Sequence, residues 1–195
     1  MLNPNFVYLG ILISLSGSIS YIIDTLKGKT KPNKVTWFMW ALAPLIAFSA
    51  QVHQGVGKEA LLSFIVGFNP LLVFIASFVN KNAYWKITRL DLFYGGLSIL
   101  GLILWYITKI GNIAILFAIL SDGLAAVPTV IKAYHFPETE NYKIFLAGAI
   151  AALITLLTIK VWNFENYAFS LYIFFICAIL FILIKFKPGK KVTRG

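Results

Sequence analysis

The chain has 195 residues, of which 59% are hydrophobic, 16% aromatic and only 12% charged. A soluble domain of this size carries roughly a quarter charged residues, so the composition argues against a soluble enzyme or binding domain. The formal charge of +10 does not indicate a nucleic-acid partner, because the basic residues fall in short clusters between apolar runs, where the positive-inside rule accounts for them.

Seven apolar runs, each near the roughly 20 residues a bilayer requires, predict an all-α polytopic membrane protein. The spans are read as Phe6–Leu26, Val35–Val52, Glu59–Val79, Leu90–Ile107, Asn112–Ile131, Lys143–Ile159 and Tyr167–Ile184. Short links carry turn signals at Gly28 with Pro32, Gly55 with Gly57, Asn80 with Asn82, Gly111, and Pro137. The first run has no basic n-region and no small-residue cleavage site, so it reads as a membrane helix rather than a signal peptide. The single cysteine, Cys177, lies within the last run and reads as a small buried hydrophobe.

Of the 17 Lys and Arg residues, only Lys58, Lys109 and Lys160 fall on the face opposite the others. The crowded face takes Lys27, Lys29, Lys31 and Lys34, then Lys81, Lys86 and Arg89, then Lys132 and Lys143, and finally the tail. This asymmetry predicts seven spans with the N-terminus outside and the C-terminus in the cytoplasm, in the plasma (inner) membrane.

The segment Ser16–Trp40, shifted by 105 residues, falls without a gap on Ser121–Phe145. Ser16 then meets Ser121, Lys27 meets Lys132, Pro32 meets Pro137 and Trp37 meets Tyr142. The shift maps helices 1–3 onto 5–7 and leaves helix 4 unmatched. The expected layout is therefore a first triple-helix unit (residues 1–82), a linker helix (83–110), a second unit (111–186) and a basic cytoplasmic tail (187–195). An odd linker makes the two units parallel repeats about an axis along the membrane normal, with a cavity between them at mid-depth.

A 3+1+3 chain of this kind resembles the SWEET and PQ-loop superfamily, which includes the KDEL receptor and the PnuC vitamin transporters. The PQ signature is met in the second unit by Pro128 and Lys132, with Thr129 in place of the glutamine, while the first unit has Ile23 at the proline position. The family's third-helix Asn and second-helix Trp are matched in type by Asn69 and Trp40; Phe174 stands where Asn69 would repeat. Trp37-Phe38-Met39-Trp40 looks like the WxxW pair of PnuC proteins. The resemblance implies transport of a small solute bound between the units.

Asp122 lies about ten residues into helix 5, or roughly 15 Å deep at 1.5 Å per residue. An Asp there costs about 2.5–3.5 kcal/mol on insertion scales, so it should face the protein interior. It is a candidate substrate contact and the proton-coupling residue; the alternative is a hydrogen-bonded strut between helices. Asn69, followed by Pro70, either satisfies backbone groups freed by the proline or lines the cavity. Trp40 could stack on a ring-shaped ligand, whereas Trp37, Trp85, Trp105 and Trp162 read as interfacial residues. Gly10, Ser14 and Ser18 recur at four-residue spacing and suggest close helix packing, with Ser16 and Ser20 offering hydroxyls to the cavity. Ala147, Gly148, Ala151 and Ala152 make helix 6 similarly smooth. Pro44, Pro70 and Pro128 interrupt spans and are candidate hinges. Asp24, Lys27 and Glu138 are candidate gate residues, Asp24 as a partner of the Lys-rich turn, and Glu138 and Glu140 as opposite charges in the matching turn.

His53 and His135 have no partners at metal spacing, and no acid–base or nucleophile constellation can be assembled. The expected function is thus non-enzymatic, with no cofactor and no metal. It is alternating-access transport of a sugar, an amino acid or a nucleoside-like vitamin, with the bilayer and the solute as partners. A receptor or adaptor on the same architecture is the alternative.

Overall fold

The computed structural model describes residues 2–83, 85–108 and 111–189, though not the side chains of Asn82, Ser98, Leu102, Leu104, Trp105 and Thr108. Lys109, the tail residues Lys190, Lys191 and Arg194, and the Trp105 side chain therefore lie outside the described residues. Among the described residues the fold is all-α, with seven α-helices: α1 (Phe6–Leu26), α2 (Lys34–His53), α3 (Ala60–Ala76), α4 (Arg89–Thr108), α5 (Gly111–His135), α6 (Tyr142–Thr158) and α7 (Phe164–Phe186). Four of them, α1, α2, α5 from Asn112 and α7, are long and apolar enough to cross a membrane, while α3 and α6 are shorter apolar helices. Large apolar side chains such as Leu12, Ile19, Ile75, Phe175 and Ile182 point outward. In water such an apolar exterior would be an association hazard; in lipid it is the expected surface.

The helices α1, α3, α2, α5, α7 and α6 form a closed ring in that order, with α4 outside it, packed on α5 and more lightly on α2. Exchanging α1, α2 and α3 for α5, α6 and α7 leaves the order of neighbours unchanged. Small residues make the tightest seam. A Cβ placed on Gly17 would lie 2.6 Å from the Ala147 Cβ, and one on Gly10 would lie 3.3 Å from the Ala151 carbonyl oxygen. The smooth side of α6 is thus the partner of α1. In the opposite seam the Thr36 hydroxyl donates to the Ala125 carbonyl (2.9 Å), in the turn that precedes Pro128. Proline removes an N–H from the helical ladder, and a side-chain donor from the neighbouring helix stabilises the backbone there.

The α1–α2 and α5–α6 turns meet at one end of the bundle, where the Lys31 amide donates to the Thr139 carbonyl (3.0 Å). At the other end the N-terminal segment reaches the last turn of α6 and the α2–α3 loop: Leu2 N–H donates to Leu157 O (2.8 Å) and Lys58 Nζ to Asn5 Oδ1 (2.6 Å). Each second helix is capped alike. The Asn33 side chain accepts from the Val35 and Thr36 amides, and that of Asn141 accepts from the Lys143 amide, as N-cap asparagines do.

These caps correct the repeat register. The second turn contains an extra 3₁₀ turn, Pro137–Thr139, so the helical position of Trp37 is repeated by Phe145 and not by Tyr142. The remaining expectations on helix bounds change little. The helix α5 runs past Ile131 to His135, and α3 stops at Ala76 short of Val79. Pro44, Pro70 and Pro128 all lie inside helices that continue through them.

Candidate functional site

All six ring helices contribute to one cavity of about 70 Å³. Its wall includes Ser14 and Ser18 of α1, Trp37 and Trp40 of α2, Asn69 and Pro70 of α3, and Asp122 of α5. Phe145 and Gly148 of α6 and Ile173, Ile176 and Cys177 of α7 also line it. Trp40, Asn69 and Asp122, which come from three different helices, are therefore brought together as expected. Ser16 is not among them: it is exposed on the outside of α1, with its hydroxyl donating to the Ile13 carbonyl (2.7 Å). The serines in the wall are Ser14 and Ser18, the pair whose spacing suggests packing residues.

Asp122 is 2% exposed and Asn69 3%. One carboxylate oxygen of Asp122, Oδ2, accepts from the Tyr172 hydroxyl of α7 at 2.6 Å. Its main-chain carbonyl accepts from Trp40 Nε1 at 3.3 Å. Asn69 Nδ2 donates to Ser14 Oγ at 2.9 Å, and Ser18 Oγ donates to the Ser14 carbonyl. The other oxygens, Asp122 Oδ1 and Asn69 Oδ1, have no hydrogen-bond partner among the described residues. Buried polar atoms are normally satisfied, so two orphan acceptors in one cavity wall are notable. Gly123, beside the carboxylate, faces Tyr172, which a Cβ there would meet at 3.7 Å, an ordinary packing distance. Gly148, unlike Gly123, is held to glycine by its neighbour: a Cβ on it would lie 2.9 Å from Cys177 Sγ.

Aromatic packing closes the cavity towards the joined turns. Trp40 packs edge-on against Trp37 (5.3 Å between centroids), and Trp37 packs on Tyr21 (4.7 Å). Trp37 is only 1% exposed, so it is a wall residue rather than the interfacial residue expected from its place near a helix start. Behind it lies a polar cluster that sequence reasoning missed. The Tyr21 hydroxyl donates to Glu140 Oε2 (2.6 Å), and Lys132 Nζ pairs with Glu140 Oε1 (2.6 Å). Lys132 also donates to the Lys31 carbonyl and lies 4.5 Å from the Trp85 ring centroid. Trp85 thus covers a cation instead of standing free at an interface; Trp162 is exposed beside Tyr167. At the far side of the cavity the wall passes into a second apolar cluster that includes Ala47, Leu62, Ile65, Ala151 and Phe169.

The expected gate residues are placed differently. Asp24 accepts from Asn141 Nδ2 (2.6 Å), in the opposite turn, and among the described residues it makes no ion pair with the Lys-rich turn. Lys27 is exposed at the end of α1, and Glu138 is exposed in the 3₁₀ turn. The pairing of the matching turns runs through Glu140, whose cation comes from α5 and not from the Lys-rich turn. Among the described residues no group of three His, Cys, Asp or Glu could hold a metal ion.

Comparison with protein-family models, curated proteins and solved structures returns no match to the chain.

Proposed function

We propose that the chain is a membrane transporter of a small polar solute, working by alternating access. In this reading all seven helices span the bilayer, as two parallel triple-helix units joined by α4. The joined turns lie in the cytoplasm, in keeping with their Lys-rich composition. Kinship with the SWEET and PQ-loop superfamily belongs to the same proposal and rests on the repeat and the topology.

The observation that carries it is the cavity itself. A largely apolar cavity walled by all six ring helices, with Asp122 and Asn69 among its lining residues and apolar or aromatic clusters towards both ends, fits a carrier whose site lies between its two units. Mere helix packing has no use for two unsatisfied acceptors there. Pro44, Pro70 and Pro128 would serve as hinges, the Lys132–Glu140–Tyr21 cluster as the inner closure, and Asp122 as the group that carries a coupled proton.

Cys177 provides a native probe, because it lines the cavity and is the only cysteine in the chain. A small, charged, membrane-impermeant thiol reagent is added to oriented proteoliposomes from either face in turn. Alternating access requires labelling from both faces. Labelling from neither face, or from one alone, would remove the transporter reading and favour a receptor or adaptor.

A further inference from the structure

Three residues that line the cavity each carry a side-chain atom with no hydrogen-bond partner among the described residues: Asp122 Oδ1, Asn69 Oδ1 and Trp37 Nε1. The indole nitrogen is a donor on a ring that packs against Tyr21. Of the others, both are acceptors, and each belongs to a side chain more than nine-tenths buried. Among the described residues the wall contains no Lys, Arg or His, and its only carboxylate is Asp122. An anion would therefore meet a carboxylate with no compensating cation. While Asp122 is ionised, a neutral solute would gain the two acceptors but leave the charge uncompensated. A cation that carries N–H donors satisfies both demands, and the rings of Trp40 and Phe145 in the same wall suit a cation as well.

We infer that the cavity binds an ammonium group, with its N–H donors directed at Asp122 Oδ1 and Asn69 Oδ1. The inference deepens the transporter reading, on which it rests, by giving its site a ligand class. Size narrows it further. A cavity of roughly 150 Å³ accepts benzene, so about 70 Å³ accommodates methylammonium in the present conformation. A bulkier amine could enter by its head group only if the wall widened.

The test uses the purified full-length chain in detergent. Its melting temperature is followed against methylammonium chloride, with potassium chloride at equal ionic strength, tetramethylammonium chloride and glucose as comparisons. A ligand that binds only the folded state raises the melting temperature with concentration. The expected result is a saturable rise with methylammonium alone, since tetramethylammonium has the charge but no N–H. Asp122→Asn should weaken the apparent affinity by about tenfold or more, the usual consequence of losing a charge-assisted hydrogen bond. Asn69→Ala should weaken it severalfold, and it serves if Asp122→Asn fails to fold. A response to butylammonium equal to that to methylammonium would show the head group of a larger amine as the ligand; rejection of butylammonium would show a free small cation.

No methylammonium response overturns the inference. So does an equal response to tetramethylammonium or glucose, or an Asp122→Asn variant that binds as the wild type does. Cys177 labelling separates this from the parent proposal. Labelling from both faces without methylammonium binding removes only the ligand class. Methylammonium binding without two-sided labelling removes only the transporter.

Discussion

Glu140→Gln keeps the size of the side chain but leaves the Lys132 ammonium without its counter-ion. The pair is 2.6 Å apart, and the two side chains are 1% and 0% exposed. At an effective dielectric of about 20, the Coulomb attraction at that distance is roughly 6 kcal/mol before desolvation is subtracted. Removing one partner of a buried pair usually costs about 3–5 kcal/mol, because the remaining charge is stranded. Glu140→Gln and Lys132→Met should therefore each destabilise by that amount. At roughly 2–4 °C per kcal/mol for a chain of this length, the melting temperature falls by about 10 °C. The double variant strands no charge, and its new side-chain amide still offers an oxygen to the Tyr21 hydroxyl. It should recover most of the loss, giving a coupling energy above about 2 kcal/mol in the double-mutant cycle. The assay is thermal unfolding in detergent, repeated in lipid nanodiscs. Single variants within about 1 kcal/mol of wild type, or additive effects in the cycle, would refute the idea of one buried unit joining the two turns.

Other substitutions test the seams. Gly17→Ala should cost about 1–3 kcal/mol by overpacking, because the new Cβ would lie 2.6 Å from that of Ala147; Gly123→Ala, with its nearest neighbour at 3.7 Å, should change the melting temperature little. Thr36→Val should lose about 1 kcal/mol, the net value of a hydrogen bond, as its donor to the Ala125 carbonyl disappears. Tyr172→Phe takes away the donor to Asp122 Oδ2. It should destabilise by about 1–3 kcal/mol, and Asp122→Leu in the same background should recover part of that loss.

Much of the helical layout is legible in the sequence, because apolar runs and charge clusters report helices and their ends directly. The first helix, Phe6–Leu26, has the bounds expected. Asp122, Asn69 and Trp40 are legible as interior residues, since a polar group at depth is too costly to leave in lipid. What failed is instructive. Successive helical residues are turned by about 100°, so Ser14 and Ser18 share a face while Ser16 points almost the opposite way. Spacing identifies two faces but not which one is inward, and that is fixed by the neighbouring helices. A lysine at position 132 suggests the end of a membrane span, yet the helix continues to His135 with the lysine buried, its charge met by a carboxylate eight residues later. Glu140 meets Tyr21 and Lys132 only because the chain reverses after α5 and brings the α5–α6 turn against α1, which no local pattern encodes. Trp37 lies near a helix start, as interfacial tryptophans do, and only its packing on Tyr21 shows that it is interior.

The order of helices in the ring is the same when its halves are exchanged, yet the cavity's polar groups do not follow that exchange. Asp122 comes from α5 with no carboxylate in the wall from α1, and Asn69 comes from α3 while α7 offers Ile173 and Ile176. A lining that obeyed the twofold relation would hold a solute in two equivalent poses, a degeneracy worth about 0.4 kcal/mol of binding free energy. This lining gives up that small statistical gain. In return, in the proposed transporter, its two halves would present different groups, so that it would tell one end of a solute from the other.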